Sequence, residues 1–229
     1  MLLEICANSF QSAKNAQEAG AHRIELCQEL SVGGLTPSYG LLKLVKEKLN
    51  ILTHVLIRPR SGDFVYSKDE FELMQKDITL CKELNFDGIV SGILKADNTL
   101  DIARTKVLIE LARPLSFTFH RGFDEVKKPE VALQQLIDLG VERVLTSGQK
   151  PKAVDCIALL RQLNTLANGQ IIIMPGSGIN ADNVGVFRES GFTEIHASAS
   201  REISQSETLF SALQTVSDLD KIKAILHAI

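Results

Sequence analysis

The sequence predicts an α/β fold, a (β/α)8 TIM barrel in one domain that spans residues 1–229. Short, continuously apolar runs alternate with helix-forming segments eight times along the chain. This alternation is typical of buried parallel strands joined by crossover helices. Each unit takes roughly the ~30 residues that one βαβ step needs, and eight units match a closed barrel. The alternative is an open doubly wound sheet, which usually has fewer units.

Each strand is predicted from an apolar run, and each helix from the capping residues and glycines that bound it. The predicted strands cover residues 2–7, 23–27, 51–58, 88–94, 115–120, 141–146, 170–174 and 193–198. The predicted helices cover residues 9–20, the segment from the loop 32–38 to about 49, then 67–85, 100–112, 129–139, 152–166 and 182–190, with a last helical stretch within 207–228. Ser9 is expected to cap the first helix, and Ser67 or Asp69 the third.

The composition argues against several classes of function. A formal charge of −3 does not suit a nucleic-acid partner, which requires a basic stripe. No apolar run approaches the ~20 residues of a membrane span, and the start of the chain lacks the features of a secretory signal. We therefore expect a cytoplasmic protein with reduced thiols. No nucleotide or redox cofactor motif is evident, and a homo-oligomer is compatible with the sequence.

Polar residues recur at the carboxyl ends of the predicted strands, where barrel enzymes have their active sites. A strand has a period of two, so these residues share one face of each strand. They include Glu4, Cys6, Glu25, Cys27, His54, Arg58, Thr118, His120, His196 and Ser198. Passive barrel layers are filled mainly by Val, Ile and Leu. The pattern therefore predicts a functional site at this end of the barrel.

Arg58 and Arg60 follow an apolar run and are separated by Pro59. Proline favours an extended conformation for the residue before it, so both arginines are expected to point the same way. Two converging guanidinium groups would form a fork that binds an anion. The alternative is an arginine pair that core carboxylates satisfy.

The loops after the seventh and eighth strands are the second candidate anion site. Gly176 and Gly178 flank one residue and allow backbone N–H groups to approach a ligand closely. Ser198 ends the last strand, and barrels often bind phosphate between these two loops. The alternative is that the glycines only make a tight turn.

Four residues are candidates for proton transfer. His120 is expected to titrate near neutrality, with Asp124 close behind it in the sequence. Glu4 and Glu25 lie on neighbouring strands and are either catalytic carboxylates with raised pKa values or buried ion-pair partners that fix the strand register. A strand histidine such as His196 is more often a satisfied core residue than a ligand.

Metal binding rests on Cys6 and Cys27, which share strand parity on adjacent strands. Their sulfur atoms are expected to approach one another inside the barrel, and two thiolates suit Cu(I). The alternative is a pair of ordinary buried cysteines.

Several sequence blocks together resemble the CutC family. They are 4–6, 23–27, 33–38, 57–60, 62–64, 118–121, 123–124, 143–149 and 196–198. The resemblance extends from Leu2 to about Arg201 and implies a TIM barrel, a cytoplasmic location and a role in copper homeostasis. It further implies Cu(I) binding through Cys6 and Cys27. Ser177 and Ser61 stand where relatives often have glycine.

Three hypotheses follow for the function. The first is a copper-homeostasis protein that binds Cu(I). The second is an isomerase or lyase that acts on a small phosphorylated or carboxylated metabolite without any copper role, and the third is a scaffold that binds a partner protein. The arginines, His120 and the glycine loop favour a small anion, whereas the family name favours copper.

Overall fold

A computed structural model describes residues 1–203 and 214–229 of the chain. Its helices and strands are β1 (Leu2–Ala7), α1 (Phe10–Ala19), β2 (Arg23–Leu26), α2 (Tyr39–Lys48), β3 (Leu52–Leu56), α3 (Lys68–Glu83), β4 (Gly88–Ser91), α4 (Ile102–Ala112), β5 (Ser116–Phe119), α5 (Pro129–Asp138), β6 (Arg143–Thr146), α6 (Ile157–Ala167), β7 (Ile172–Pro175), α7 (Val184–Glu189), β8 (Glu194–Ala197), β9 (Ser200–Glu202), β10 (Thr215–Ser217) and α8 (Leu219–Ala228). The first eight strands alternate with helices, as the sequence predicts.

The eight strands form one parallel sheet in the order β7-β6-β5-β4-β3-β2-β1-β8. The ring closes between β7 and β8 through a single parallel bridge between Gly176 and His196. This arrangement confirms the predicted TIM barrel. All carboxyl ends of the strands therefore meet at one mouth, which is where the polar residues were expected to gather.

The boundaries differ from the prediction mainly at strand ends and in the last segment. Strand β3 ends at Leu56 and β4 at Ser91, because the chain leaves the ladder there. The last helix begins at Leu219, after Asp218 caps it through its side chain. The preceding Thr215–Ser217 segment is not helical but pairs antiparallel with Ser200–Glu202. The predicted helical residues 207–213 lie outside the described residues.

Apolar side chains on the outer faces of the strands pack against the helices. Among them, Ile24, Val55, Phe117 and Ile195 are completely or almost completely buried. Ser9 caps α1, and Ser67 forms a reciprocal capping box at the start of α3. The apolar side chains form the hydrophobic core between the sheet and the helices.

Within the described ranges no helix has the length and apolar character needed to cross a membrane.

The lower part of the barrel interior carries a cluster of charged side chains. Arg23 forms ion pairs with Glu4 and, at 2.6 Å, with Glu194. Arg143 joins the same Glu194 at 3.0 Å and donates a hydrogen bond to Ser116. Alternating charges of this kind satisfy one another only in a defined register. For Glu4, which is 0% exposed, the structure therefore favours the ion-pair alternative over a catalytic one.

His54 lies in the same interior layer and depends on a glycine for its space. A Cβ atom at Gly88 would come within 2.4 Å of the His54 ring. Burial lowers the pKa of His54 to about 3, although the nearby Glu4 opposes this change. The imidazole is consequently neutral inside the folded barrel at physiological pH.

Replacing Arg23 with Met is expected to lower the free energy of unfolding by about 3–5 kcal/mol, because Glu4 and Glu194 would stay buried without their shared cation. Urea denaturation measures this change. Arg161→Met is the control, since the exposed Arg161 side chain donates a hydrogen bond only to Ser190 among the described residues. If Arg23→Met lowered the free energy of unfolding by less than about 1 kcal/mol, the ion pairs of Arg23 with Glu4 and Glu194 would not be important for stability.

His54 makes stability depend on pH in a defined direction. The unfolded imidazole binds a proton below about pH 6.5, whereas the folded one does so only near a pKa of about 3. Stability is therefore retained above pH 6.5 and falls as the pH decreases through this window, by up to about 1.4 kcal/mol per pH unit. His54→Gln should flatten this slope between about pH 6 and pH 4.

Denaturant unfolding at a series of pH values tests the His54 effect. His227→Gln is the matched control because His227 is exposed on α8. The control should retain the wild-type slope. Equal slopes in wild type and His54→Gln would contradict the assignment.

Candidate functional site

A cavity of about 540 Å³ opens at the carboxyl ends of the barrel strands. Its lining combines charged, hydroxyl and aromatic groups from nearly every side of the barrel. These include Cys6, Glu25, Arg58, Phe64, His120, Arg121, Asp124, Ser177, Gly178, His196, Ser198 and Ser200. Six of the predicted site residues with side chains therefore border one cavity, and they are Cys6, Glu25, Arg58, His120, Asp124 and Ser198.

Arg58 is buried, with 6% of its surface exposed, and it borders the cavity. Its guanidinium group donates hydrogen bonds of 2.8–2.9 Å to the carbonyl oxygens of Val32, Gly34 and Gly62. It also lies 5.1 Å from the centre of the Phe64 ring. Within the described residues it forms no ion pair with a carboxylate, and its Nε atom has no partner. The cation is thus held by neutral carbonyl groups, which leave its charge uncompensated.

Arg60 corrects the predicted arginine fork. Its guanidinium group is partly exposed and pairs with Glu70 at 2.6 Å and with Asp63 at 2.8 Å. It does not border the cavity. Strand β3 has already ended at Leu56, so the strict period of two no longer holds beyond Arg58. The structure brings only one of the two predicted arginines to the site.

His120 carries an unpartnered donor beside Arg58. Its Nδ1 atom accepts a hydrogen bond of 3.1 Å from the N–H of Gly122, so the ring proton of the neutral imidazole lies on Nε2. The Nε2 atom is buried and has no partner among the described residues. Phe64 packs against this ring with a centroid distance of 4.7 Å. One aromatic side chain thus supports both Arg58 and His120.

The expected titration of His120 near neutrality is corrected by its surroundings. Burial lowers the pKa of His120 to about 3, and the charge of Arg58 contributes in the same direction. The ring therefore stays neutral at physiological pH. It can donate a hydrogen bond through Nε2, but it is not a ready acceptor of protons.

Asp124 serves the loop more than the cavity. Its carboxylate accepts hydrogen bonds from Thr146, from the backbone and hydroxyl groups of Ser147, and from the N–H of Gln149, at 2.6–3.2 Å. It also pairs with Arg121 at 2.8 Å. Because its oxygens are occupied, Asp124 is placed as an organiser of the loop after β6 and not as a free proton acceptor.

Three buried groups form the floor of the cavity: Cys6, Glu25 and His196. The Nδ1 atom of His196 lies 2.8 Å from a carboxylate oxygen of Glu4, and its Nε2 atom lies 3.4 Å from a carboxylate oxygen of Glu25. Candidate ligand atoms of Cys6, Glu25 and His196 all lie within 4.8 Å of one another. Glu4 itself does not border the cavity.

The electrostatics of the floor follow from burial and close pairing. Burial raises the pKa of Glu25 to about 7, against the opposing effect of His196. Burial alone would lower the pKa of His196, but hydrogen bonds to Cys6 and Glu4 and the charge of Glu25 raise it well above its ordinary value. Burial opposes ionisation of Glu4, yet His196 and Arg23 hold its pKa well below the usual range.

The two candidate copper ligands are in contact. The Sγ atoms of Cys6 and Cys27 lie 3.7 Å apart, as strand parity predicts. The hydrogen bond with Cys27, followed by burial, raises the pKa of Cys6 well above its ordinary value. Only Cys6 borders the cavity. Cys27 lies behind Gly34, where an added Cβ would come within 3.6 Å of its sulfur atom.

The glycine loop is placed only in part as expected. Gly178 and Ser198 border the cavity, whereas Gly176 does not. A Cβ at Gly176 would come within 2.6 Å of the Leu145 side chain, so this glycine serves the closure of the barrel. Ser177 adopts a positive φ of 82° and also borders the cavity.

Sequence reasoning placed Phe64 in a block that resembles the family but gave it no role at the site, and it undervalued His196. Phe64 lies in a loop, and no periodic pattern indicated that it would support two polar residues. His196 was expected to be a satisfied core histidine, yet it lines the cavity and joins two carboxylates. Its inward parity on β8 was a usable signal, but the register that pairs it with Glu4 was not visible in the sequence.

Comparisons with a family model and with known proteins point to the same family. The model of the CutC family matches residues 1–201. A family protein CutC from Chromobacterium violaceum is 47% identical over 206 residues, which cover 90% of this chain and 83% of the relative. A mouse (Mus musculus) relative, named copper homeostasis protein cutC homolog, is 48% identical over 86% of this chain and 73% of the relative.

Solved structures agree with this comparison. A crystal structure of the CutC protein from Streptococcus agalactiae superposes with a TM-score of 0.82 at 34% identity, covering 86% of this chain and 98% of that one. Thiamine phosphate pyrophosphorylase from Pyrococcus furiosus has a TM-score of 0.62 at 16% identity, covering 99% of this chain and 94% of that one. The second likeness concerns the barrel fold alone.

Proposed function

Because the chain belongs to the CutC family, whose model matches residues 1–201, we propose a function for the mouth that this barrel presents. The mouth binds a small anionic molecule, a phosphorylated or carboxylated metabolite, and the protein acts on it as an isomerase or lyase. The uncompensated charge of Arg58 at the cavity is the observation that carries this proposal.

A buried guanidinium group without a carboxylate partner is costly unless something else balances its charge. Arg58 has three neutral carbonyl acceptors and no ion pair among the described residues. Those carbonyl groups fix its position, and its charge remains available to a ligand. An anionic oxygen in the cavity would complete this environment.

His120 supports the same reading through its Nε2–H group. A buried donor without a partner has lost its hydrogen bonds to water and gained none in return. A phosphate, carboxylate or carbonyl oxygen would accept a hydrogen bond from this N–H group without needing a charged imidazole. Arg58 and His120 thus present a cation and a neutral donor, both packed against the ring of Phe64.

The opposite side of the cavity offers hydroxyl and backbone groups. Gly178 and Ser198 border it, and the Ser198 hydroxyl lies 3.3 Å from that of Ser200. This position between the loops after β7 and β8 is the common phosphate site of such barrels. The volume of about 540 Å³ is in the range of small-molecule sites.

The floor of the cavity supplies the reactive groups. Of the four predicted proton-transfer residues, Glu25, His120 and Asp124 border the cavity. The Asp124 carboxylate is occupied by hydrogen bonds from its loop, and the His120 imidazole stays neutral, so Glu25 is the remaining candidate. Glu4 and Asp124 have structural partners instead. Cys6 and His196 stand beside Glu25, so we assign the chemistry to these three side chains.

Anion binding predicts stabilisation of the wild type by a member of a library of small phosphates and carboxylates in a thermal-shift assay. At about 100 times its Kd, one bound ligand raises the free energy of unfolding by ~2.7 kcal/mol. His120→Phe retains the ring packing and removes the Nε2 donor, so affinity should fall about 10- to 100-fold. Arg58→Gln should have a similar or larger effect.

Arg60→Gln is the matched control for Arg58→Gln, because the Arg60 guanidinium group pairs with Asp63 and Glu70 and does not border the cavity. It should bind the same anion with wild-type affinity. Equal binding by Arg58→Gln and Arg60→Gln, or no stabilisation of the wild type by any anion, would remove the basis of the proposal.

Cu(I) binding is the second candidate function. The favouring observation is the distance of 3.7 Å between the Cys6 and Cys27 sulfur atoms, which lets one ion touch both. Leu56 and Val90 surround the pair with apolar surface, and two thiolates in such a place suit a soft ion. The residues therefore fit Cu(I), which they would hold through sulfur alone.

Anaerobic Cu(I) titration against a competing chelator tests the thiol pair. Wild type should bind one ion tightly, and both Cys6→Ser and Cys27→Ser should lose that affinity. Cys81→Ser is the control because Cys81 is buried on α3, in a separate part of the core. Unchanged affinity in Cys27→Ser would exclude this site.

A further inference from the structure

We propose that Cys6, Glu25 and His196 form a site for a divalent, zinc-type cation whose fourth coordination position opens into the cavity. This deepens the proposed function, because the open position faces the space in which the anion is proposed to bind. The site differs from the thiol pair in two of its ligands and in the kind of ion that it suits.

Strand register brings the three ligands together. Cys6 and Glu25 are direct partners between β1 and β2. On the other side of β1, His196 of β8 pairs with Glu4, two residues before Cys6. Their candidate ligand atoms lie within 4.8 Å of one another, and all three side chains are buried. Three adjacent strands of a rigid sheet therefore fix the donor set.

The donor set selects the class of ion. One sulfur, one imidazole nitrogen and one carboxylate oxygen match the mixed ligands of zinc sites. A purely soft ion such as Cu(I) gains little from a carboxylate, whereas Mg²⁺ or Ca²⁺ would not favour a thiolate. Three protein ligands with an open position are typical of catalytic rather than structural zinc.

A carboxylate behind the histidine completes the pattern. Glu4 lies 2.8 Å from Nδ1 of His196 and leaves Nε2 directed towards Glu25. Metal-binding histidines are commonly oriented by a carboxylate in this way. Arg23 holds Glu4 in turn, so the orientation of the imidazole is anchored in the barrel interior. His196 has this arrangement before any ion enters.

Metal binding at the floor would be coupled to proton release. Zinc ligands are bound deprotonated, so the ion would hold the thiolate of Cys6, the carboxylate of Glu25 and the free Nε2 atom of His196. Once bound, the ion would act as a Lewis acid on an oxygen of the molecule in the cavity.

Cys27 distinguishes this site from the copper pair. It touches Cys6 but does not border the cavity. Cys27→Ser should therefore leave divalent binding nearly intact and abolish Cu(I) binding. Glu25→Gln should instead weaken divalent binding strongly and leave Cu(I) binding nearly intact. The two variants separate two overlapping sites that share only Cys6.

The test is a titration of the full-length, chelator-treated protein with Co²⁺, followed by competition with Zn²⁺. Wild type should bind one Co²⁺ with a thiolate-to-cobalt charge-transfer band and the intense d–d bands of tetrahedral coordination. Glu25→Gln and His196→Gln should weaken binding by about 100-fold or more, because even outer-shell partners contribute about 10- to 100-fold. Cys6→Ser should lose the charge-transfer band.

Circular dichroism and thermal unfolding first establish which variants are folded, and Glu25→Gln and Cys6→Ser change the fewest atoms. Three results would overturn the site: no Co²⁺ binding by wild type, a six-coordinate spectrum without a charge-transfer band, or loss of binding in Cys27→Ser but not in Glu25→Gln. Anion stabilisation of the metal-free wild type tests the proposed function separately. Its presence without Co²⁺ binding would remove only the metal site.

Discussion

The ion pair between Glu4 and Arg23 is the interaction on which the polar half of this barrel depends. A charge inside a closed sheet has little water around it, so it is tolerated only when a partner is held in place. Arg23 provides that partner for Glu4 and for Glu194 at once. With Glu4 ionised and fixed, His196 has a firm acceptor for Nδ1. The orientation of the groups at the mouth is thus determined one layer below it.

The two halves of the barrel interior differ in how their charged side chains are held. Below the mouth, Arg143 and Ser116 extend the chain of ion pairs and hydrogen bonds. At the mouth, the Nε atom of Arg58 and the Nε2 atom of His120 are buried without partners among the described residues. His54 and Thr118, inside the barrel as well, also have a buried polar atom without a partner, so unsatisfied atoms alone do not distinguish the mouth. The mouth is distinguished by the Arg58 cation, which has carbonyl groups and no carboxylate as partners among the described residues.

Much of the site was predictable, but two positions show where prediction from sequence stops. Period two correctly assigned Cys6 and Cys27 to one face, since both belong to or directly follow regular strands. The same rule failed for Arg60, because strand β3 has already ended and the side chain pairs with Glu70 outside the cavity. His196 was visible on its strand, yet its role depends on Glu4, a partner 192 residues away along the chain. Sequence spacing carries local direction and not distant pairing.

The sequence by itself determined the eight-fold alternation of strands and helices, the closed barrel and the end at which polar residues gather. These follow from local hydrophobic periodicity and from the short crossover connections that parallel strands require. Only the tertiary structure decided which charges neutralise one another, which arginine enters the cavity and which carboxylate stays available. Those outcomes depend on strand register and on burial, because partners from opposite ends of the chain meet only when the ring closes.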